Sequence, residues 1–171
     1  MAKSCFLILL LLVISLEISA QWHPDQIEII RDQWGVPHIY AATDAQVSYG
    51  LAWAHAEDDF GTIQTTLLAA KGMLGLHLGK DGAIADYVVG LLRTKEIVAE
   101  HLDEVSPEFL KIVNGYLAGL NAYAEHHPQE VFVKKAFPIT VQEVFQAYVL
   151  QLAIMDGADG VIGGLIKGNI D

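Results

Sequence analysis

Gln26-Ile27-Glu28-Ile29-Ile30-Arg31-Asp32-Gln33-Trp34-Gly35-Val36-Pro37-His38-Ile39-Tyr40-Ala41 is the stretch on which the fold reading turns. Gln26 to Arg31 alternates well enough for a strand. Asp32-Gln33-Trp34-Gly35 has the chemistry of a turn. Pro37, with no N–H to give a ladder, restricts the next strand to an edge or a start position. His38 to Ala41 continue as extended chain. Residues 26–42 are therefore expected to form a β-hairpin, or two strands joined by a short bend.

Everything outward from this element reads as helix. Thr43-Asp44 offers a capping oxygen to the orphan N–H groups of a first turn. Between Ala45 and Leu78 the apolar residues Val47, Leu51, Ala54, Ile63, Leu67, Leu68, Met73 and Leu76 fall at helical spacing. Gly61 and Gly72 argue against one unbroken rod, so a break is expected near Asp58–Gly61, with Gly79 ending the second piece. Asp81 to Val89 has no clear period and is left open. Leu91 to Leu102 fits a short amphipathic helix.

The later boundaries are sharper. Ser106-Pro107-Glu108 combines an N-cap, a proline at the first helical position and an acid in the first turn. The helix behind it buries Phe109, Ile112, Val113, Tyr116, Leu117, Leu120 and Tyr123, and stops before Pro128. Residues 126–139 read as loop. Thr140-Val141-Gln142-Glu143 is a capping box opening a helix through Val144, Tyr148, Leu152 and Met155. Five glycines (157, 160, 163, 164, 168) then mark residues 158–171 as a Gly-rich tail or the start of a spacer. The fold class expected is mainly α with a short N-terminal β-hairpin.

Composition narrows the function. The chain has 171 residues, 10 Lys+Arg against 21 Asp+Glu, and a net charge of −11. With 53% apolar and 18% charged residues it is not a disordered polymer. No cationic surplus exists to displace counterions from a phosphate backbone, so nucleic acid is not an expected partner. Lys3, the apolar run Phe6–Ile14 and the small Ala20 have the signature of a signal peptide over residues 1–20, with cleavage expected after Ala20. Glu17 interrupts the run too early for a membrane span, which needs roughly 20 apolar residues. The expected location is secreted or periplasmic, with no span after signal removal. Cys5 is the single cysteine, so the mature domain of residues 21–157 uses neither disulfides nor thiolate chemistry.

The constellations with chemical potential are few. His55 and Asp59 would share a helical face with Asp58 beside them, a donor set able to hold a divalent ion. The group lacks the second His of an H-E-x-x-H box, and a capped helix junction explains it as well. His126-His127 follows a helical pattern, where imidazolium suits the negative end of the dipole. The late glycines form no phosphate-cradling motif. After the signal only Ser48 and Ser106 remain as serines, and neither lies in G-x-S-x-G. No hydrolytic machinery is visible within the chain.

Four blocks, in order, resemble the penicillin acylase family of N-terminal-nucleophile hydrolases. The opening stretch from Arg31, Asp32, Gly35, Pro37 and His38 is similar to the family's R-D-x-x-G-x-P-H-I-x-A. Tyr49-Gly50 through Asp58 resembles its Y-G-x-G-x-A-x-A-x-D stretch. Ala69 to Asp81, with Gly72, is similar to its A-x-G-x…L-G segment. Asn114-Gly115-Tyr116-Leu117-Ala118-Gly119-Leu120-Asn121 resembles its G-Y-x-x-G-x-N helix. Acyl-homoserine lactone and related aliphatic acylases stand nearer here than the aromatic penicillin G enzymes.

The resemblance implies the α-chain portion of an αββα fold, incomplete without its β-chain. In that family autoproteolysis releases a β-chain whose new N-terminal serine is the nucleophile and whose α-amine is the base. An α-amine titrates near 8 and accepts a proton at neutral pH. The nucleophile is thus expected beyond Asp171, and no catalytic residue is carried over onto this chain. By position, Met155 and Asp156 correspond to a segment that borders the acyl pocket. The implied partners are the β-chain and a small N-acyl amide substrate.

Two departures stand out. The family often places Arg after the Asp that matches Asp58, whereas this chain has Asp59. No Glu matches the calcium-binding carboxylate of some members, so no cofactor or metal is expected. Two rivals use the same residues: a non-catalytic secreted helical binding domain, and a small metal enzyme centred on His55, Asp58 and Asp59.

Overall fold

The structure is a computed structural model that describes residues 24–166. The expected signal peptide and residues 167–171 lie outside the described residues.

Strands β1 (Glu28–Arg31) and β2 (Pro37–Tyr40) pair antiparallel, Glu28 facing Tyr40 and Arg31 facing Pro37. The turn is built by Asp32, whose Oδ1 accepts from the N–H groups of Trp34 (2.9 Å) and Val36 (3.0 Å). Gly35 occupies the left-handed region there (φ +82°), which a side chain would disfavour. Pro37 opens β2, as a residue without an N–H must. Ile29 and Ile39 face inward and Ile30 and Tyr40 stay exposed. An isolated hairpin is marginal in water. This one rests on Gly50, where a Cβ would stand only 2.7 Å from Ile39 Cγ2 and 2.9 Å from Ile27 Cγ2.

Helix α1 (Asp44–Ala70) starts at Thr43, whose hydroxyl accepts from Gln46 N–H. Its regular dihedrals fail at one residue, Asp59 (φ −158°, ψ 72°), inside the window where a break is expected. The Asp59 carboxylate accepts from Thr62 N–H at 3.0 Å and so caps the second half of the helix. This cap explains an acid, rather than an arginine, after Asp58. Asp59→Ala is expected to destabilise the helix as loss of an N-cap does, read as a fall in urea midpoint.

The chain beyond differs from the expectation. Helix α1 ends at Ala70, and Gly72 (φ +63°) turns the chain into a single-turn helix, α2 (Gly75–Leu78). Gly79 closes that turn and not the long helix. The stretch without a readable period is helix α3 (Lys80–Leu92). Its inward face carries Gly82 and Asp86 among the apolar Ala85, Val89 and Leu92, which blurs the hydrophobic period. A Cβ at Gly82 would overlap the Leu74 carbonyl, and Asp86 accepts from Leu74 N–H (2.7 Å) and Gly75 N–H (2.8 Å). Hydrophobic periodicity does not register a glycine and a carboxylate on such a face. The helix expected over Leu91–Leu102 is cut at Arg93 (φ 54°), and α4 runs over Thr94–His101.

Helices α5 (Pro107–His126) and α6 (Val141–Met155) match their caps: Ser106 accepts from Phe109 N–H, and Thr140 with Glu143 forms the reciprocal capping box. The glycine-rich stretch, expected as a tail or spacer, is helical over Ala158–Ile166 (α7) after a left-handed Gly157. Among the described residues no helix is long and apolar enough to cross a membrane.

The core lies where α1 crosses α5. A Cβ on Gly115 would overlap the Ala45 carbonyl, and one on Gly119 the Tyr49 carbonyl. Backbones this close bury Ala52 and Ala56 almost completely, with Phe60, Leu117, Leu120 and Tyr123 extending the contact. Two amides hold the loop before α6. Asn121 donates to Ile139 C=O (2.9 Å) and accepts from its N–H (2.7 Å). Gln64, 2% exposed, donates to Glu130 C=O (3.0 Å) and accepts from Phe132 N–H (2.8 Å). Both replace the strand partner that this loop lacks.

Candidate functional site

Helices α1, α5 and α6 leave an open groove of about 510 Å³ between them. The three walls are helical stripes: Ser48, Leu51 and His55 on α1, Phe109, Ile112 and Tyr116 on α5, Val144, Tyr148 and Gln151 on α6. The kink at Asp59 lets the second half of α1 add Ile63 and Thr66 to one side. The lining is largely apolar, and no Lys, Arg, Asp or Glu belongs to it. Volume and character suit a small-molecule pocket.

The groove has one polar pair. His55 Nδ1 stands 3.3 Å from the Tyr116 hydroxyl. Burial, with the neighbouring Tyr148 phenol second, raises the Tyr116 pKa above the ordinary tyrosine value, so the phenol remains a hydrogen-bond donor. Ser48 is buried and lines the same wall, yet it sits seven residues from His55, about 10 Å of helix rise. That separation precludes a serine–histidine dyad. Ser106 is occupied as the α5 cap.

The three residues weighed as a metal set go to three partners. His55 meets Tyr116, Asp59 caps Thr62, and Asp58 pairs with Arg31 at 2.8 Å. Arg31 also reaches Glu57 (3.1 Å) and donates to Gly35 C=O (2.8 Å). Glu57 in turn accepts from Trp53 Nε1–H at 3.0 Å. The hairpin is thereby clamped to α1 just before the kink. His126 and His127 place Nδ1 at 2.7 and 3.0 Å from the Ala122 and Tyr123 carbonyls, closing the C-terminus of α5 as their position suggests. His127 also stacks on Tyr123 with centroids 4.0 Å apart.

The remaining motif residues are packing and turn elements. Asp32 and Gly35 build the turn, and His38 Nε2 lies 3.6 Å from Asp32 Oδ2. Tyr49 is buried with its carbonyl against Gly119, Gly50 receives Ile39, and Gly72 reverses the chain. Gly115, Gly119 and Asn121 serve the α1–α5 contact and the loop, leaving Tyr116 as the one motif residue that lines the groove. Met155 and Asp156 stand outside the groove lining, at the C-terminal end of α6. Met155 is 74% exposed and continues the Tyr148–Leu152 stripe one turn further. Sequence reasoning missed the groove itself, although its stripes at spacings of three and four were legible on each helix separately.

Burial tends to raise the Asp32 carboxyl, but the Val36 and Trp34 N–H groups and His38 outweigh it and the net pKa lies below the usual value. A carboxyl depressed in the folded state stabilises above its unfolded pKa, and that contribution disappears as pH falls through the folded one. Asp32→Asn is therefore expected to destabilise the chain at neutral pH and to lose its difference from the parent in urea titrations as pH falls below the ordinary aspartate range. A constant difference across that range would contradict the assignment.

Hairpin, glycine-packed helix pair and groove together define a mainly helical scaffold with one short β element. Residues 26–155 match the Penicillin amidase family model, and the chain belongs to that family. It is 28% identical over 125 residues to penicillin G acylase of Escherichia coli, covering 73% of this chain and 15% of the relative. It is 30% identical over 102 residues to acyl-homoserine lactone acylase PvdQ of Pseudomonas savastanoi pv. phaseolicola, covering 55% and 13%. Penicillin acylase 2 proenzyme of Pseudomonas sp. (strain SE83) is 30% identical over 97 residues, covering 57% and 12%. The chain thus spans less than a sixth of these relatives. The solved thermostable penicillin G acylase from Alcaligenes faecalis shares the fold with a TM-score of 0.62 at 23% identity, covering 74% of this chain and 72% of that one. Penicillin and lactone acylases match with near-equal identity, so the expected nearness to one branch is not resolved by these figures.

Proposed function

We propose that this chain is the N-terminal, α-chain part of a secreted or periplasmic amidohydrolase acting on linear amides, N-acyl compounds such as β-lactam side chains or acyl-homoserine lactones. The observation that carries the reading is an acylase-family scaffold with a ligand-sized groove in which no described serine stands beside a base. The nucleophile then belongs to a partner β-chain, as its N-terminal serine. Its Oγ adds to the substrate carbonyl, its α-amine takes the proton and passes it to the leaving amine, and water releases the acid from the ester. No cofactor enters this chemistry.

Two further facts support a processed precursor. One relative is named a proenzyme. The match covers a small share of the curated relatives yet most of a solved acylase chain. Met155 and Asp156 fit a pocket wall completed by the partner, an assignment supported by the exposure of Met155 (74%) at the end of α6.

Intact mass and N-terminal sequence of every polypeptide in the native mature protein test the reading. A chain beginning with Ser, accompanying one that begins near Gln21, is expected. A single species ending at Asp171 would overturn the two-chain enzyme and leave a non-catalytic binding domain.

A further inference from the structure

A second cleft, of about 440 Å³, opens at the C-terminal end of α5, where the chain passes into the loop before α6. It shares no lining residue with the α1–α5–α6 groove, which uses α5 only as far as Leu120. Ala124, Val131, Phe137 and Pro138 give it an apolar floor, and its size falls in the range of small-molecule sites. Two amides hold its loop side, Asn121 through the backbone of Ile139 and Gln64 through that of Glu130 and Phe132. The walls are thus preformed, and little ordering accompanies occupancy.

Two charged side chains line the cleft, Glu125 from α5 and Lys134 from the loop. They are of opposite sign and both exposed. Yet among the described residues neither side chain enters an ion pair or a hydrogen bond, with the other or with any third group. Glu125 stands in the last turn of α5, where the helix dipole disfavours an anion. The next two imidazoles do not compensate it, because His126 and His127 turn to the Ala122 and Tyr123 carbonyls. Lys134 is one of few cations in a chain with 10 Lys+Arg against 21 Asp+Glu. The cleft therefore carries two poles. An ammonium is drawn to Glu125 and the negative end of α5, and a carboxylate to Lys134.

We propose that this cleft binds an apolar α-amino acid as its zwitterion, with the ammonium at Glu125, the carboxylate at Lys134 and the side chain on the apolar floor. A simple anion meets Lys134 but is repelled by Glu125 and by the acidic chain around it. A simple cation meets Glu125 but is repelled by Lys134. A ligand carrying both charges satisfies both poles, and this is the basis of discrimination. An apolar side chain adds the burial that glycine lacks. The site draws on neither the groove nor the nucleophile, so it is a separate binding function of this chain.

Isothermal titration of the native mature protein at neutral pH, with whatever chains accompany it, tests the cleft. The probe is leucine. Its comparators are 4-methylpentanoate, 3-methylbutylamine and glycine, which lack the ammonium, the carboxylate and the side chain in turn. Leucine is expected to bind at least about tenfold more tightly than each of the three. Glu125→Gln and Lys134→Gln, at exposed positions, should each weaken leucine about fivefold and leave the melting temperature unchanged. Glu125→Gln should also narrow the gap between leucine and 4-methylpentanoate, and Lys134→Gln the gap between leucine and 3-methylbutylamine. Absence of leucine binding, an affinity matched by any comparator, or charge variants that bind as tightly as the parent would each overturn the proposal. Hydrolytic activity, present or absent, bears on the acylase reading and leaves this result standing.

Discussion

Gly119→Ala is expected to destabilise the chain by about 3 kcal/mol, the upper part of the range for overpacking. Local propensity predicts the opposite sign, because Ala in a helix interior is favoured over Gly by about 1 kcal/mol. The contact decides: the added Cβ would overlap the Tyr49 carbonyl and crowd Ala52 Cβ at 3.1 Å. A backbone oxygen cannot swing aside as a side-chain terminus can, so α1 and α5 would have to separate and uncover Ala52 and Ala56. Gly90→Ala is the matched control. Gly90 lies in α3 with nothing within 4 Å of its would-be Cβ, and there the substitution should stabilise by up to about 1 kcal/mol. Urea midpoints of the two variants should move in opposite directions. A stabilised Gly119→Ala would show that the helices are not in backbone contact.

Lys71→Met carries the second large effect, an expected loss of about 3 kcal/mol. Lys71 Nζ lies 2.6 Å from Glu143 Oε1 and donates to the Ala136 carbonyl at 2.7 Å. The two side chains are only 10% and 21% exposed, so this is not a screened surface pair. The other Glu143 oxygen accepts from Thr140 N–H at 2.8 Å, which joins the end of α1 to the start of α6 through one carboxylate. Removing the lysine leaves a half-buried charge and a buried carbonyl unpaired. Glu143→Gln keeps the capping box, since Gln serves there as well as Glu. Adding it to Lys71→Met should recover at least 1 kcal/mol by discharging the orphaned site. A double variant as unstable as Lys71→Met alone would place the cost in packing instead.

The hairpin was readable because its signals are local: an alternating strand, an Asp whose carboxylate closes its own turn, a glycine where φ is positive, and a proline at the strand start. The caps of α5 and α6 were readable for the same reason, since Ser106 and the Thr140–Glu143 box bond to backbone within three residues. The break in α1 was legible as a region, though its agent was not. Asp59 drew attention as a metal donor and proves to be a cap, and the two roles use the same oxygen atoms. Helix α3 escaped because Gly82 and Asp86 occupy its inward face, where their roles are close approach and hydrogen bonding to another element. Arg93, a non-glycine residue in the left-handed region, carries no sequence mark at all.

By itself, then, the sequence determined the hairpin, the helical character of the long first helix, α5 and α6 with the caps that open them, the acidic balance and the motifs that resemble the family. The hairpin and the helix starts follow from bonds or periodicities spanning fewer than ten residues. Only the tertiary structure decided which small residues are contact points, where Lys71 and Asn121 find their partners, and that three separate stripes converge on one groove. Those outcomes depend on residues far apart in the chain, such as Tyr49 and Gly119 or His55 and Tyr116, meeting at distances set by how closely two helices can cross.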